Sequence, residues 1–173
     1  MIVRGSLAAD RDAVRAIHEA AFGHGVAVDE SVPEAVLFDA LLDDGDTIEA
    51  LCFTAEADGR PVGHVVCSTA TVDALEVVAL GPIGVDPRMQ GNGIGSSLVH
   101  AVLAAADELD FPLVALLGST AYYARFGFVP GSGLVIEAPD PEWGDYFQVR
   151  PLSGYDPEVR GRFNYAPAFA LVS

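Results

Sequence analysis

A chain of 173 residues, about half of them hydrophobic, is long enough to bury one sizeable core and leaves little room for a second. Its formal net charge is −16 and all nine basic residues are arginine, which argues against a nucleic-acid-binding surface, since that needs a clustered basic patch, and, with no lysine, excludes a Walker-type phosphate loop. No run reaches the roughly 20 apolar residues of a membrane span and Met1–Ser6 lacks the start of a secretory signal, so one cytoplasmic domain over residues 1–173, with no membrane partner, is expected.

The chain opens with a strand at Ile2–Arg4. Ala13, Val14, Ile17 and Ala20-Ala21 then recur with helical spacing behind Asp10, the expected N-cap, and the helix should stop near Gly23 and Gly25. A second helix is expected over Pro33–Leu42, with Leu37, Leu41 and Leu42 inward. Strands Ile48–Ala57 and Pro61–Val72 flank the turn Asp58-Gly59-Arg60 as a hairpin. The next strand, Glu76–Val85, contains Gly81-Pro82, which marks an edge or a break in the ladder. A long helix fits Gly93–Leu109, with Leu98, Val102, Leu103 and Ala106 on one face. Strand Leu113–Leu117, a short helix at Ala121–Phe126 closed by Gly127, and short strands at Leu134–Glu137, Tyr146–Leu152 and Phe163–Tyr165 complete an α/β domain with a mixed sheet. Cys52 and Cys67, fifteen positions apart, have neither CxxC spacing nor a histidine cluster and read as small buried hydrophobes rather than metal ligands.

The most informative segment is Val85-Asp86-Pro87-Arg88-Met89-Gln90-Gly91-Asn92-Gly93-Ile94-Gly95-Ser96, which joins an apolar strand to an amphipathic helix. Its glycines permit positive φ and close approach of a ligand. The N–H groups of the helix's first turn have no intrahelical acceptor and suit a phosphate. A dinucleotide-binding turn would need a third glycine where Ser96 stands. Downstream lies Gly118-Ser119-Thr120-Ala121-Tyr122-Tyr123-Ala124-Arg125-Phe126-Gly127-Phe128, a strand end followed by a short helix with two tyrosines and a glycine cap. Taken alone, those tyrosines read as half-buried packing residues.

Gln90-x-x-Gly93-x-Gly95 behind Ile83-Gly84-Val85-Asp86-Pro87, followed by Tyr123-x-Arg125-Phe126-Gly127-Phe128, resembles the two signatures of the GNAT superfamily of N-acetyltransferases, in the family's order. The similarity runs over nearly the whole chain, and the closing Phe163-Asn164-Tyr165-Ala166-Pro167-Ala168-Phe169 is similar to that of a bacterial and archaeal YhbS-like subgroup. The resemblance implies a central mixed β-sheet flanked by helices and acetyl-CoA as co-substrate, with no metal. It implies transfer of the acetyl group to a primary amine of a small molecule or protein. Ile83, Gly84 and Val85 would hold the pantetheine arm, and the backbone from Gln90 through Gly91, Asn92, Gly93, Ile94 and Gly95 to Ser96 the pyrophosphate. Tyr123 would protonate the leaving thiolate, and Arg88 or Arg125 would reach the outer phosphate. Some members carry a glutamate where this chain has Ala79, so the general base stays open among Glu76, Glu30, Glu34 and water.

Histidine supplies no alternative. His18-Glu19 is followed at position 22 by Phe rather than the second histidine of a zinc-protease helix, and His64 and His100 read as structural. With no G-x-S-x-G elbow, a serine hydrolase has no support. Two other readings keep the same fold: a non-catalytic CoA-binding or sensory domain, and an acyltransferase for longer acyl chains or hydroxyl acceptors. The acidity points to a cationic acceptor such as a polyamine, an aminoglycoside or a protein N-terminus; a high-salt habitat or GC-rich coding would also produce it. An edge strand near the C-terminus leaves a homodimer open.

Overall fold

The computed structural model describes residues 1–27 and 30–172. Its strands are β1 (Ile2–Gly5), β2 (Phe53–Ala57), β3 (Arg60–Val72), β4 (Leu75–Val85), β5 (Leu113–Leu117), β6 (Val129–Pro130), β7 (Ile136–Glu137), β8 (Phe147–Pro151) and β9 (Gly161–Tyr165), and its helices are α1 (Arg11–Phe22), α2 (Pro33–Asp43), α3 (Ile94–Glu108) and α4 (Thr120–Tyr123). The strands follow the order β1-β2-β3-β4-β5-β8-β6, with β9 also against β3 and β7 beside β9. All of these pairings are antiparallel except β4–β5 and β7–β9, so the sheet is mixed, as the sequence predicts.

Helix α3 packs its apolar stripe, Leu98, Val99, Val102 and Ala106, on one face of the sheet with Val65, Cys67 and Leu80. Helices α1 and α2 close a second cluster through Val14, Leu37, Phe38 and Leu41 against Cys52 and Val66. Phe147 and Phe163 centre a third at the β5–β8–β9 end. Cys52 and Cys67 are free and buried within these clusters. Burial raises both thiol pKa values, that of Cys52 to about 11.

Several local expectations need correction. The strand foreseen from Ile48 starts only at Phe53, because Glu49–Leu51 forms a 3-10 turn that buries Leu51 and exposes Glu49 and Ala50. Asp10 precedes α1 but its carboxylate does not cap it; it accepts from Leu7 N–H at 2.8 Å and pairs with Arg4 at 2.8 Å. The buried stripe of α1 is Val14, Ile17 and His18, with Ala13 and Ala20 exposed. Within Leu134–Glu137 only Ile136–Glu137 is extended, since Gly131–Leu134 coils as a 3-10 turn and Val135 has φ 57°.

The site is created by a defect in β4. Val65 pairs with Ile83 and Cys67 with Leu80, so two steps along β3 match three along β4, and Gly81-Pro82 bulges. Gly81 takes φ 136° there, a conformation that side chains rarely adopt. On its other side β4 pairs with β5 only at Val78–Val114 and Ala79–Ala115, while β5 stays paired with β8 along its full length. Beyond Ala79 the two parallel strands therefore part, and the β5-facing edge of β4 has no ladder partner among the described residues. The proline is thus a bulge inside an interior strand, not an edge.

Candidate active site

The glycine-rich turn closes this opening. Asp86 ends the strand and accepts from Arg88 N–H at 2.9 Å, and Pro87–Met89 coils as a 3-10 turn. Gly91 (φ 81°) and Gly93 (φ 75°) both take left-handed conformations. The first intrahelical bond of α3 runs from Ser97 N–H to Gly93 C=O at 3.0 Å. The N–H groups of Ile94, Gly95 and Ser96 precede it and so stand outside the helical ladder at its positive end. A Cβ on Gly95 would lie 3.2 Å from the Tyr122 hydroxyl, so a side chain here would intrude on α4.

A cleft of about 510 Å³ runs from this turn along β4 to the aromatic residues of α4. It gathers nine of the ten proposed cofactor residues, Asn92 excepted, together with Tyr123. The Asn92 amide folds back on Met89 C=O at 2.9 Å, closing the turn instead. Gln90 does similar work, donating from Nε2 to Val85 C=O at 3.2 Å. Of the two candidate arginines, Arg125 borders the cleft, its guanidinium 4.6 Å above the Tyr122 ring. Arg88 pairs with Asp86 at 2.8 Å and borders a different cavity, beside α1.

Tyr123 sits where the strands part. Its ring packs edge-on against Tyr122 (4.9 Å) and Phe128 (5.8 Å). A Cβ on Gly118 would come within 2.6 Å of it, so Gly118 is the seat of the ring, a role its place at a strand end did not disclose. Burial raises the phenol pKa to about 12, which keeps the hydroxyl a proton donor throughout the neutral range.

A second cavity, of about 480 Å³, meets the first at Phe22, Ile83 and Tyr123. Glu34 borders it, whereas Glu30 and Glu76 border neither cavity. Glu76 is exposed near the far end of β4, opposite Thr71, on the order of 17 Å along the strand from Gly81. Ala79 is fully buried and offers no acid-base group. Beneath β4 lies a feature that the sequence did not connect. His18 Nε2 and His64 Nδ1 are 3.0 Å apart in a buried pair, and His18 Nδ1, without a partner, lies 3.0 Å from where a Cβ on Gly84 would be.

Comparison with known proteins places this geometry. The Acetyltransferase (GNAT) family profile matches residues 12–128. The uncharacterized N-acetyltransferase YjhQ of Escherichia coli is 31% identical over 128 residues, covering 72% of this chain and 67% of YjhQ. The uncharacterized N-acetyltransferase YhbS of Escherichia coli is 29% identical over 155 residues, 88% of each chain. Among solved structures, Escherichia coli YhbS in complex with CoA aligns over 98% of this chain and 91% of its own, with TM-score 0.86 and 27% identity. A GNAT family acetyltransferase from Brucella melitensis in complex with acetyl-CoA aligns over 97% of both chains, with TM-score 0.77 and 29% identity. No helix among the described residues is long and apolar enough to cross a membrane. With its family signatures brought together at the parting of β4 and β5, the chain belongs to the GNAT family of acetyltransferases.

Proposed function

We propose that the protein transfers the acetyl group of acetyl-CoA to a primary amine. One observation carries the reading: the head of α3 with its free N–H groups, the unpaired edge of β4 and Tyr123 border one continuous cleft. The fit to the coenzyme rests on Gly91 and Gly93, which hold a backbone that a Cβ would strain, and on Gly95, where a Cβ would crowd Tyr122. The CoA and acetyl-CoA complexes of the two structural relatives support the same ligand here.

Acetyl-CoA supplies a thioester whose carbonyl carbon the amine nitrogen attacks, the C–N bond forming as the C–S bond breaks. In the chain, the N–H groups from Ile94 to Ser96 hold the pyrophosphate, and Arg125 adds a cation beside them; no carboxylate pairs with it among the described residues. Ile83 and Val85 offer main-chain groups to the pantetheine arm and the carbonyl oxygen. Tyr123 gives its proton to the departing sulfur and regains one from the acylated nitrogen through water. A phenol of pKa about 12 is a weaker acid than an exposed thiol, of pKa about 8.5; the same burial raises the basicity of the sulfur and narrows that gap.

Thermal unfolding with acetyl-CoA, and with NADH and ATP as controls, tests the cofactor. Saturation at 100 times the dissociation constant adds about 2.7 kcal/mol. No shift with acetyl-CoA would sink the proposal, and a shift without thiol release on any amine would leave a binding module instead. Gly93→Val should weaken acetyl-CoA binding about 5- to 30-fold, because a β-branched residue pays about 1–2 kcal/mol to enter the left-handed region. Gly93→Asn, which tolerates that region, should bind nearly as the parent does. Equal affinities of Gly93→Val and the parent in calorimetry would count against the turn as the pyrophosphate site.

A further inference from the structure

Resting on that reading, we infer that the acceptor is a small monoamine with an aromatic or apolar body, and that Glu34 receives its ammonium, which gives one proton to water before the neutral nitrogen attacks. The cavity of about 480 Å³ beyond Tyr123 is of a size that takes a small molecule. Its walls come from segments remote in sequence: Phe22 at the end of α1, Glu34 and Leu37 on α2, Trp143 on a 3-10 turn, Tyr165 on β9 and Phe169 in the C-terminal turn. Tyr165 stacks on Phe169 with centroids 4.0 Å apart and 21° between planes, and Trp143 meets Tyr165 edge-on at 6.1 Å. Leu117 and Val172, 45% and 39% exposed, extend the apolar lining towards solvent.

Glu34 is the only charged residue in this lining among the described residues. A polyamine or an aminoglycoside would bring several cations to a wall with one carboxylate and leave the rest of its charge against aromatic and aliphatic side chains. A single ammonium on an apolar stem matches both features: the carboxylate takes the charge, and the rings take the stem and add cation–π attraction. A protein N-terminus would also have to pass a peptide backbone through a lining with few polar partners. The net charge of −16 draws any cation, but this lining selects among them. Glu34 lies in the first turn of α2, where a carboxylate also favours the helix electrostatically, so the test separates binding from stability.

Thiol release from acetyl-CoA is measured with 2-phenylethylamine, spermidine and a hydrophilic hexapeptide with a free N-terminus. Phenylethylamine should give the highest kcat/KM by about tenfold or more. Glu34→Gln should raise its KM about 10- to 100-fold, the loss of one charge-assisted hydrogen bond, with the KM for acetyl-CoA unchanged. Trp143→Ala should raise the same KM and leave that for acetyl-CoA alone. Preference for spermidine or the peptide would overturn the inference, as would Glu34→Gln lowering Tm without moving the amine KM. Failure of acetyl-CoA to bind in calorimetry overturns this inference and the cofactor reading together; binding and turnover without a preference for phenylethylamine overturn only this one.

Discussion

Replacing Tyr123 with phenylalanine is expected to lower kcat by about 10²- to 10⁴-fold, the usual yield of a positioned proton donor, while the KM for acetyl-CoA and the Tm stay near those of the parent. The substitution removes one oxygen and leaves the ring on its seat, against Gly118, Tyr122 and Phe128. Partial burial holds the phenol pKa up at about 12, so the parent's rate should show no alkaline fall from this group below about pH 10. An unchanged kcat in Tyr123→Phe, at saturating acetyl-CoA and amine, would mean that water protonates the thiolate and that the phenol only packs.

Acid should unfold the protein earlier than its carboxylates alone require. Burial lowers the pKa of His18 to about 4 and that of His64 to about 3, the proximity of His18 adding to the second. An unfolded histidine titrates near 6.5, so below that pH the unfolded chain takes up protons that the native pair does not. Native stability is therefore full above about pH 6.5 and declines as the pH falls towards the two folded values. The slope approaches about 1.4 kcal/mol per pH unit for each histidine. The ion-paired Asp10, its pKa lowered to about 2 by Arg4, acts in a lower window: its contribution is present above its unfolded value of about 3.9 and is lost below. Urea midpoints at pH 7.5, 6.5, 5.5 and 4.5 measure the histidine limb, and His64→Leu should flatten it. Constant midpoints down to pH 5, or histidine ring protons titrating near 6.5 in the native state, would show that the pair is not held neutral.

What the sequence disclosed and what it hid divide along one physical line. The turn from Val85 to Ser96 is legible because its conformational demands are local: positive φ at Gly91 and Gly93, an apolar strand before and a periodic helix after. The short helix with Tyr123 is legible for the same reason. Asp10 misled because a short carboxylate ahead of a helix serves equally as a cap or an ion-pair partner, and only the fold brings Arg4 to it. Glu49-Ala50 misled because a β-rich window averaged over a tight turn. The amine cavity and the histidine pair are nonlocal. His18 and His64 are 46 positions apart, and the cavity walls run from Phe22 to Val172. No period or spacing joins such residues before the sheet assembles them. Among the three candidate carboxylates only Glu34 borders either of these two cavities, and its position in the sequence did not distinguish it from Glu30.

The two buried thiols bear on how turnover is best followed. Cys52 is 7% and Cys67 0% exposed, and a thiol with a raised pKa presents almost no thiolate to an electrophile at neutral pH. A chromogenic disulfide reagent added to the folded protein should therefore report the CoA thiol released from acetyl-CoA with little background. Under unfolding conditions the same reagent should count two equivalents per chain. One dye thus reads product formation and the opening of the core on separate timescales, and any variant that reacts before substrate is added has loosened its fold rather than altered its chemistry.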